Sequence, residues 1–272
     1  MQTQLVLADG NELPALGFGT WDLAPGRETQ SAVEEALAAG YRHLDAATIY
    51  ENEADVGAAI RASGLPRADL WVTTKLWNTD HGRQQARVAC ERSLGLLGLD
   101  YVDLYLQHWP MPGRMESWRT MEDLRDEGRI RSLGVCNYLP RHLDELGTDH
   151  RHRPVVNQFE LSPFLIASRR AMIERSRADG MVIEAYAPLT CGQRLQDPGV
   201  ARVAAEVGRT PAQVLLRWGL QHGFVVLPRS KTPARIRENA AIFDFSLTPQ
   251  QVADLDALDD GFFAYEDPED YA

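Results

Sequence analysis

Short apolar runs alternate with longer amphipathic stretches along the 272 residues of the chain. The runs are rich in residues that suit strands buried on both faces, as a parallel sheet requires. We expect eight such strands, at residues 16–20, 41–47, 70–76, 102–108, 130–137, 155–159, 182–186 and 224–228. Residues 4–13 predict an additional hairpin, because Asp9-Gly10-Asn11 is a strong turn signal.

The stretches between these runs carry the signals of helices. Val200, Val203, Ala204 and Val207 follow the i, i+3, i+4, i+7 spacing of one buried helical face. Threonine caps free N–H groups, and proline suits the first helical position because its φ is preset and it lacks a donor. Helices are therefore expected to begin at Thr210-Pro211, Thr232-Pro233 and Thr248-Pro249.

Eight strand–helix alternations without a linker or a composition break predict an α/β fold of the (β/α)8 TIM-barrel type. We expect a single domain over residues 1–272, with the N-terminal β-hairpin across the barrel floor and two extra helices near the C-terminus. The alternative is an open doubly wound sheet. No G-x-G-x-x-G follows any predicted strand, which counts against the dinucleotide-binding form of that sheet.

Composition narrows the function classes. The formal net charge of −11 argues against a nucleic-acid or anionic-membrane partner, which requires a basic surface. The cysteines are three in number and form no C-x-x-C pair, which is typical of reduced thiols. The sequence shows neither a signal-peptide pattern nor the roughly 20 apolar residues that cross a bilayer. We expect a cytoplasmic protein.

Four polar side chains come at or just after the ends of neighbouring predicted strands: Asp45, Tyr50, Lys75 and His108. In a barrel these strand ends share one mouth, where chemistry is placed. A carbonyl that accepts a hydride needs a proton from a positioned acid. Tyr50 is the candidate acid, and a neighbouring Lys75 is expected to lower its pKa. Each residue taken singly also fits a structural role.

The roles of the remaining members of this group follow from their chemistry. Asp45 would hold and charge Lys75, and His108 would donate to the carbonyl oxygen. The histidines of the chain lack the spacing of metal ligands, so no metal is expected. His43 is expected to pack in the barrel or face solvent, and His150 and His152 to be solvated. Tryptophans just past three strands indicate an apolar pocket wall, so the expected substrate contacts are Trp21, Tyr50, Trp77, His108 and Trp109.

The sequence resembles the aldo-keto reductase family over essentially its whole length. The resemblance is carried by LGFGTW (16–21), HLDAATIYENEADVG (43–57), TTKLW (73–77), DLYLQHWP (103–110), GVCNY (134–138), NQFELSPF (157–164) and PRSKTPARIREN (228–239). It implies a catalytic tetrad of Asp45, Tyr50, Lys75 and His108. Relatives that reduce steroid double bonds have glutamate in place of the histidine, so His108 implies carbonyl reduction.

The resemblance also implies a nicotinamide site. Asn137 and Gln158 would bind the carboxamide, Tyr186 would stack on the ring, and Cys136 replaces the usual serine. The backbone at Ala187 and Leu189 would contact the pyrophosphate. The other residues expected to contact the cofactor at this end are Gly19, Thr20 and Asp45.

A basic cluster at Arg229, Lys231, Arg235 and Arg237 stands out in an acidic chain. It lies at the predicted start of a helix, and a helix N-terminus with guanidinium groups suits a phosphate. A solvated helix face is the alternative. By resemblance, Arg229, Ser230 and Arg235 bind the 2′-phosphate of NADP, and Glu238 and Asn239 contact the adenine. Lys231 and Thr232 complete the expected contacts, and the expected cofactor is NADPH.

The sequence thus predicts NADPH-dependent reduction of an aldehyde or ketone to the alcohol, with a small-molecule carbonyl as partner and a monomeric protein. The short connection at residues 109–117 and the short acidic tail at 262–272 indicate an open pocket of the bacterial type, similar to that of diketogluconate reductases and methylglyoxal-reducing relatives. One alternative is an NADPH-binding sensor with little turnover, similar to potassium-channel β-subunits. A barrel isomerase or lyase would need a metal set or a phosphate loop.

Overall fold

The computed structural model describes residues 3–147 and 150–270. The strands, β1 to β10, are Gln4–Val6, Glu12–Pro14, Gly17–Gly19, His43–Asp45, Trp71–Leu76, Val102–Gln107, Ile130–Cys136, Val156–Glu160, Val182–Tyr186 and Val225–Leu227. The α-helices, α1 to α10, are Arg27–Ala38, Glu53–Ser63, Arg83–Leu97, Arg114–Asp126, Pro140–Leu146, Arg170–Ala178, Pro198–Val207, Pro211–Gln221, Pro233–Ala240 and Pro249–Asp256. Tyr271 and Ala272 of the predicted acidic tail lie outside the described residues.

Strands β3 to β10 pair in parallel, each with its neighbour in chain order. The first and last of them also meet, because the Val226 amide donates to Ala15 O (3.0 Å) and the Gly19 amide donates to Pro228 O (3.1 Å). The predicted closed barrel is therefore confirmed, and the open sheet is wrong. All eight predicted strands are confirmed, and no predicted end differs from the observed one by more than two residues.

The predicted hairpin is confirmed as the antiparallel pair β1 and β2. Gly10 takes a φ of 86° in the turn, a conformation that glycine adopts without strain. Leu7 and Leu13 are buried and pack with the innermost barrel residues, including Trp71 and Leu104. The hairpin thus seals the end of the barrel opposite to the mouth.

The three predicted Thr-Pro helix starts are confirmed. Thr210 and Thr248 accept hydrogen bonds from the backbone of the third helical residue, whereas Thr232 begins α9 without such a bond. Two helices are additional to the barrel pattern of one helix after each strand. Helix α7 precedes α8 between β9 and β10, and α10 follows α9, as expected near the C-terminus.

Neither a membrane span nor a metal cluster occurs within residues 3–147 and 150–270. No helix there combines the length and the apolar character that a bilayer crossing needs. No three His, Cys, Asp or Glu side chains there lie close enough together to hold an ion.

The barrel interior changes from apolar to polar toward the mouth. Alternate residues of a strand face the same side, so Trp71, Thr73 and Lys75 follow one another along the inside of β5. Trp71 packs in the apolar floor, Thr73 bonds the buried ring of His43 at 3.1 Å, and Lys75 bonds Asp45. Of the two expectations for His43, packing inside the barrel is right.

Candidate active site

The barrel mouth holds a cavity of about 870 Å³ at the C-terminal ends of the strands. Most of the residues predicted to act or bind line it. They are Gly19, Trp21, Asp45, Tyr50, Trp77, His108, Trp109, Asn137, Gln158, Tyr186, Ala187, Leu189, Arg229, Ser230, Lys231, Thr232, Arg235, Glu238 and Asn239.

Three predicted site residues lie behind the cavity wall instead. Lys75 and Cys136 are buried beneath the residues that line the mouth. Thr20 is also fully buried, and its hydroxyl donates to the Asp45 carbonyl at 2.9 Å. Thr20 therefore supports the strand that carries Asp45, and the cavity gives no support for its expected contact with a cofactor.

Lys75 joins two of the predicted catalytic residues. Its Nζ donates to Asp45 Oδ1 (2.6 Å), to Ala46 O (3.0 Å) and to the Tyr50 hydroxyl (3.2 Å). An ammonium has three hydrogens, so all its donors are used. Tyr50 follows β4 in a short 3-10 turn, which is tied to β5 because Thr48 Oγ1 donates to Lys75 O at 3.1 Å. The turn thereby brings the phenol to the ammonium.

The pKa values in this group correct one expectation. Burial disfavours charge on Lys75, but Asp45, Tyr50 and Cys136 together outweigh it and raise the pKa of the ammonium above its ordinary value. Burial also raises the pKa of Tyr50, and the opposing charge of Lys75 only reduces that rise. The expected net lowering of the Tyr50 pKa is therefore wrong in direction. The phenol keeps its proton at neutral pH, which is the form that a proton donor needs.

His108 lies at the end of β6 beside Tyr50. Its backbone amide donates to Leu76 O at 3.1 Å. The ring meets those of Tyr50 and Trp77 edge-on, at centroid distances of 5.8 and 5.1 Å. Burial and the charge of Lys75 hold the pKa of His108 well below its usual range. The imidazole is therefore neutral and carries one N–H donor.

Two amide side chains and a phenol form the adjoining wall. Asn137 takes a φ of 62°, which asparagine tolerates better than most residues. Its Nδ2 donates to His108 O at 3.2 Å, and its Oδ1 accepts from the Tyr186 hydroxyl at 3.0 Å. The Cys136 thiol accepts from Asn137 Nδ2 at 3.3 Å. Burial raises the pKa of Cys136, so the group in place of the usual serine is a neutral thiol.

The basic cluster lies at the other end of the cavity, where β10 leads into α9. Arg229 forms an ion pair with Asp22, and Lys231 Nζ lies 3.2 Å from Glu28 Oε2. Arg235 is exposed and lines the cavity. No ion pair to Arg235 occurs among the described residues.

Arg237 does not share this position. It pairs with Glu35 and does not line the cavity. The predicted cluster is therefore divided, with Arg229, Lys231 and Arg235 at the cavity and Arg237 on the solvated helix face that was the alternative. His152 corrects a further expectation, because its Nε2 lies 2.6 Å from Asp126 Oδ1 and its ring also contacts Arg125. It is not simply solvated.

Several lining residues were missed. Tyr265, in the tail, meets the rings of Trp21 and Tyr186 edge-on at 6.5 and 6.0 Å. Glu160 accepts from the backbone amides of Ala264 and Tyr265 at 2.7 and 3.1 Å and so holds the tail. The tail is irregular and carries no periodic signal. The missed lining residues are Ile49, Pro188, Cys191, Gly192, Leu195, Ala212, Leu227, Pro228, Tyr265 and Glu266.

Comparisons with known proteins agree with this geometry. Residues 15–260 match the model of the aldo/keto reductase family. The chain is 41% identical over 276 residues to the uncharacterized oxidoreductase YtbE of Bacillus subtilis (strain 168), covering 100% of this chain and 98% of that protein. It is 43% identical over 280 residues to morphine 6-dehydrogenase of Pseudomonas putida, with 97% and 94% covered.

A solved structure extends the agreement to three dimensions. The crystal structure of an aldo/keto reductase from Brucella melitensis superposes with a TM-score of 0.90 at 44% identity, covering 95% of this chain and 100% of that one. The chain belongs to the aldo/keto reductase family, whose members are oxidoreductases that reduce small carbonyl compounds with nicotinamide cofactors.

Proposed function

We propose that this chain catalyses the NADPH-dependent reduction of an aldehyde or ketone to the alcohol, with the proton supplied by Tyr50. The observation that carries the proposal is the contact of Lys75 Nζ with both Asp45 and the Tyr50 hydroxyl, beside a neutral His108 at one cavity. A protonated phenol and a neutral imidazole both donate hydrogen bonds. Both therefore suit a carbonyl oxygen that becomes an alkoxide.

Each residue has a separate proposed task. His108 donates to the substrate oxygen and orients the carbonyl toward the cofactor. Tyr50 donates its proton as negative charge develops on that oxygen, and Lys75 stabilises the phenolate that remains. Asp45 keeps Lys75 charged and in place. Trp21, whose ring centroid lies 5.0 Å from that of Tyr50, would form the substrate wall with Trp77 and Trp109.

The cavity suits a dinucleotide in size and polarity. Its volume of about 870 Å³ falls in the range of small-molecule sites, and it reaches from the tetrad to the start of α9. A bound nicotinamide supplies the hydride. Asn137 and Gln158 would hold its carboxamide, and Tyr186 would support the ring. Gly19, Ala187 and Leu189 would border the linking phosphates.

The preference for NADPH over NADH rests on the other end of the cavity. Arg229, Ser230 and Arg235 would bind the 2′-phosphate at the N-terminus of α9, where free N–H groups and the helix dipole favour an anion. Lys231 and Thr232 flank that position, and Glu238 and Asn239 would contact the adenine. Morphine 6-dehydrogenase is named for oxidation of an alcohol, and a relationship to it supports an alcohol–carbonyl couple here.

We also propose that residues 1–272 act as one domain and as a cytoplasmic monomer. The family model reaches residues 15–260 without a break, which supports one domain. The three cysteines are free, as in a reducing compartment. Size-exclusion chromatography with light scattering tests the monomer, since a mass of about twice 30.4 kDa would contradict it.

A turnover assay tests the central proposal. NADPH oxidation is followed with a panel of aldehydes, ketones, dicarbonyls and keto acids, and the panel is repeated with NADH. We expect turnover with several carbonyls and a higher kcat/KM for NADPH. NADPH binding without turnover on any carbonyl would instead support the sensor. Equal kcat/KM values for the two cofactors would contradict the phosphate site.

A further inference from the structure

The amide of Gln158 is held between two carboxyl groups. Its Nε2 donates to Asp45 Oδ2 at 3.0 Å and to Glu184 Oε2 at 2.7 Å. A primary amide nitrogen has two hydrogens, so these two bonds use both. Within the part of the chain that the structure describes, the amide carbonyl Oε1 has only a distant contact, with the Cys136 thiol at 3.9 Å.

Two of the three residues are neighbours in the barrel, and the third lies across it. Gln158 and Glu184 are register partners on the adjacent strands β8 and β9. Asp45 lies on β4, four strands away from β8 in an eight-stranded barrel, and therefore on the opposite wall. The side chain of Gln158 thus crosses the barrel interior where it borders the cavity, and the two carboxyl groups fix it from both sides.

Asp45 determines the orientation of the Gln158 amide, that is, which of its nitrogen and oxygen atoms faces the carboxylate. Its carboxylate is engaged by Lys75 and offers only acceptors. The nitrogen of Gln158 must therefore face Asp45, because a reversed amide would place two acceptors together. Glu184 takes the second hydrogen, so neither hydrogen remains free to draw the amide into another rotamer.

Packing alone does not explain why the side chain at position 184 is a carboxyl group. Glu184 is fully buried and does not line the cavity. An unpaired polar group in such a buried position is costly. Its Oε1 has no hydrogen-bond partner among the described residues, and His43 Nε2 lies 3.8 Å away. Burial and the nearby Asp45 raise the pKa of Glu184 to about 8, and burial lowers that of His43 to about 4. Both groups are therefore neutral at pH 7.

We propose that Glu184 is a positioning residue which, together with Asp45, fixes the amide of Gln158 so that its Oε1 is available to the nicotinamide carboxamide. The inference rests on the proposed function. A carboxamide has N–H donors, and a fixed acceptor sets the rotation of the ring and the face that offers hydride. Glu184 acts through Gln158 and touches neither cofactor nor substrate.

The test measures NADPH binding to the full-length protein by quenching of tryptophan fluorescence. Glu184→Met keeps the length of the side chain but offers only the weakly accepting sulfur of a thioether. Glu184→Gln keeps an acceptor in the same place and is the matched control. We expect Glu184→Met to raise the NADPH dissociation constant by about tenfold, the size of one hydrogen bond, and Glu184→Gln to stay within about twofold.

A ligand fragment separates positioning from general damage. Adenosine 2′,5′-bisphosphate would occupy the Arg235 end and does not reach Gln158, so its affinity should be the same in both variants and the parent. With NADPH deuterated on one face of the ring, the parent and Glu184→Gln should transfer from a single face. Glu184→Met should transfer part of its hydride from the other face.

Several outcomes overturn the inference. Unchanged NADPH affinity with unchanged face specificity in Glu184→Met would do so, and so would equal losses for NADPH and the fragment. A parent that binds no NADPH would overturn the proposed function instead. Glu184→Ala replaces Glu184→Met under the same criteria if the latter folds poorly. Finally, Glu184→Met added to Gln158→Leu should cause no further loss, and additive losses would refute action through Gln158.

Discussion

The two ends of the cavity are built in different ways. At the tetrad end the charged groups are sealed in the barrel, and the side chain of Lys75 is 0% exposed. At the phosphate end they lie on the surface, and that of Lys231 is 59% exposed. At the first end the hydrogen bonds of Lys75 are formed within the protein itself. The second is held by ion pairs on the surface, which the proposed phosphate would replace.

This difference has an energetic consequence. Removing one partner of a buried pair leaves an uncompensated charge or donor, which typically costs about 3–5 kcal/mol. An exposed pair such as Lys231 with Glu28 contributes about 0–1 kcal/mol. Changes at the tetrad end should therefore alter turnover or folding strongly, and changes at the phosphate end should alter affinity in small, salt-dependent steps.

The largest expected effect is that of Tyr50→Phe. The substitution removes the donor hydroxyl but keeps the ring and its contact with Trp21. We expect kcat to fall by about 10²–10⁴-fold, the usual contribution of a positioned acid. NADPH affinity should change by less than about threefold, because the hydroxyl belongs to the chemical step. Steady-state kinetics and fluorescence titration measure the two quantities. Parent-like turnover would refute the proton-donor role.

Burial at the tetrad end also predicts a pH effect on stability. Glu184 has a folded pKa of about 8 against an ordinary 4.5. As pH rises from 4.5 to 8, the unfolded chain releases this proton but the folded chain does not, so folding becomes less favourable. Glutamine does not titrate. Glu184→Gln should therefore gain stability relative to the parent over this window, by roughly 2–4 kcal/mol in total.

Urea unfolding of both proteins at pH 5 and pH 8 measures that gain. The other titrating groups are shared, so their contributions largely cancel in the difference between variant and parent. If the free energy of unfolding changed with pH in the same way in both proteins, Glu184 would be ionised in the folded protein. The burial of charge at the tetrad end would then no longer distinguish it from the phosphate end in this respect.

At the phosphate end, Arg235→Ala should weaken NADPH specifically. A hydrogen bond to a charged group contributes about 1.5–3 kcal/mol, so we expect the NADPH dissociation constant to rise by about 10–100-fold. NADH lacks the 2′-phosphate and should bind almost as before. Arg237→Ala is the matched control, because that side chain is on the same helix but pairs with Glu35 away from the cavity. Equal weakening of NADPH and NADH would contradict the phosphate role.

The site residues differ in how far the sequence alone could predict them. Asp45, Lys75 and His108 were found because parallel strand ends must converge at one mouth, so position along the chain implied position in space. Neither Glu184 nor Tyr265 had such a signal. Glu184 acts through a register partner and a residue on the opposite wall, and Tyr265 lies in an irregular tail held by Glu160.

The sequence also could not predict whether burial or a neighbouring charge determines the pKa of a buried group. Proximity of Lys75 to Tyr50 was predicted correctly, but the direction of the Tyr50 pKa shift was not, because burial cannot be weighed against a charge until both are placed. The basic cluster at Arg229 to Arg237 shows the same limit. Spacing identified the cations, but only coordinates show that Asp22, Glu28 and Glu35 already pair with three of them.

The smallest expected effect tests whether those surface pairs compete with the phosphate. Asp22→Asn removes the negative charge that pairs with Arg229, and asparagine tolerates the positive φ of 57° at this position. Arg229 is then free for the 2′-phosphate. Because an exposed pair contributes about 0–1 kcal/mol, NADPH should bind about two- to fivefold more tightly at low salt.

The gain from Asp22→Asn should fade as salt rises, because ions screen exposed charges. Glu35→Gln is its control: it changes the net charge equally but releases Arg237, which does not line the cavity. Isothermal titration at two salt concentrations compares the variants. If both tighten NADPH binding equally, the effect is one of net charge, and the pair of Arg229 with Asp22 is no competitor of the phosphate. If only Asp22→Asn does, the exposed end is restrained by a pair that the ligand itself displaces.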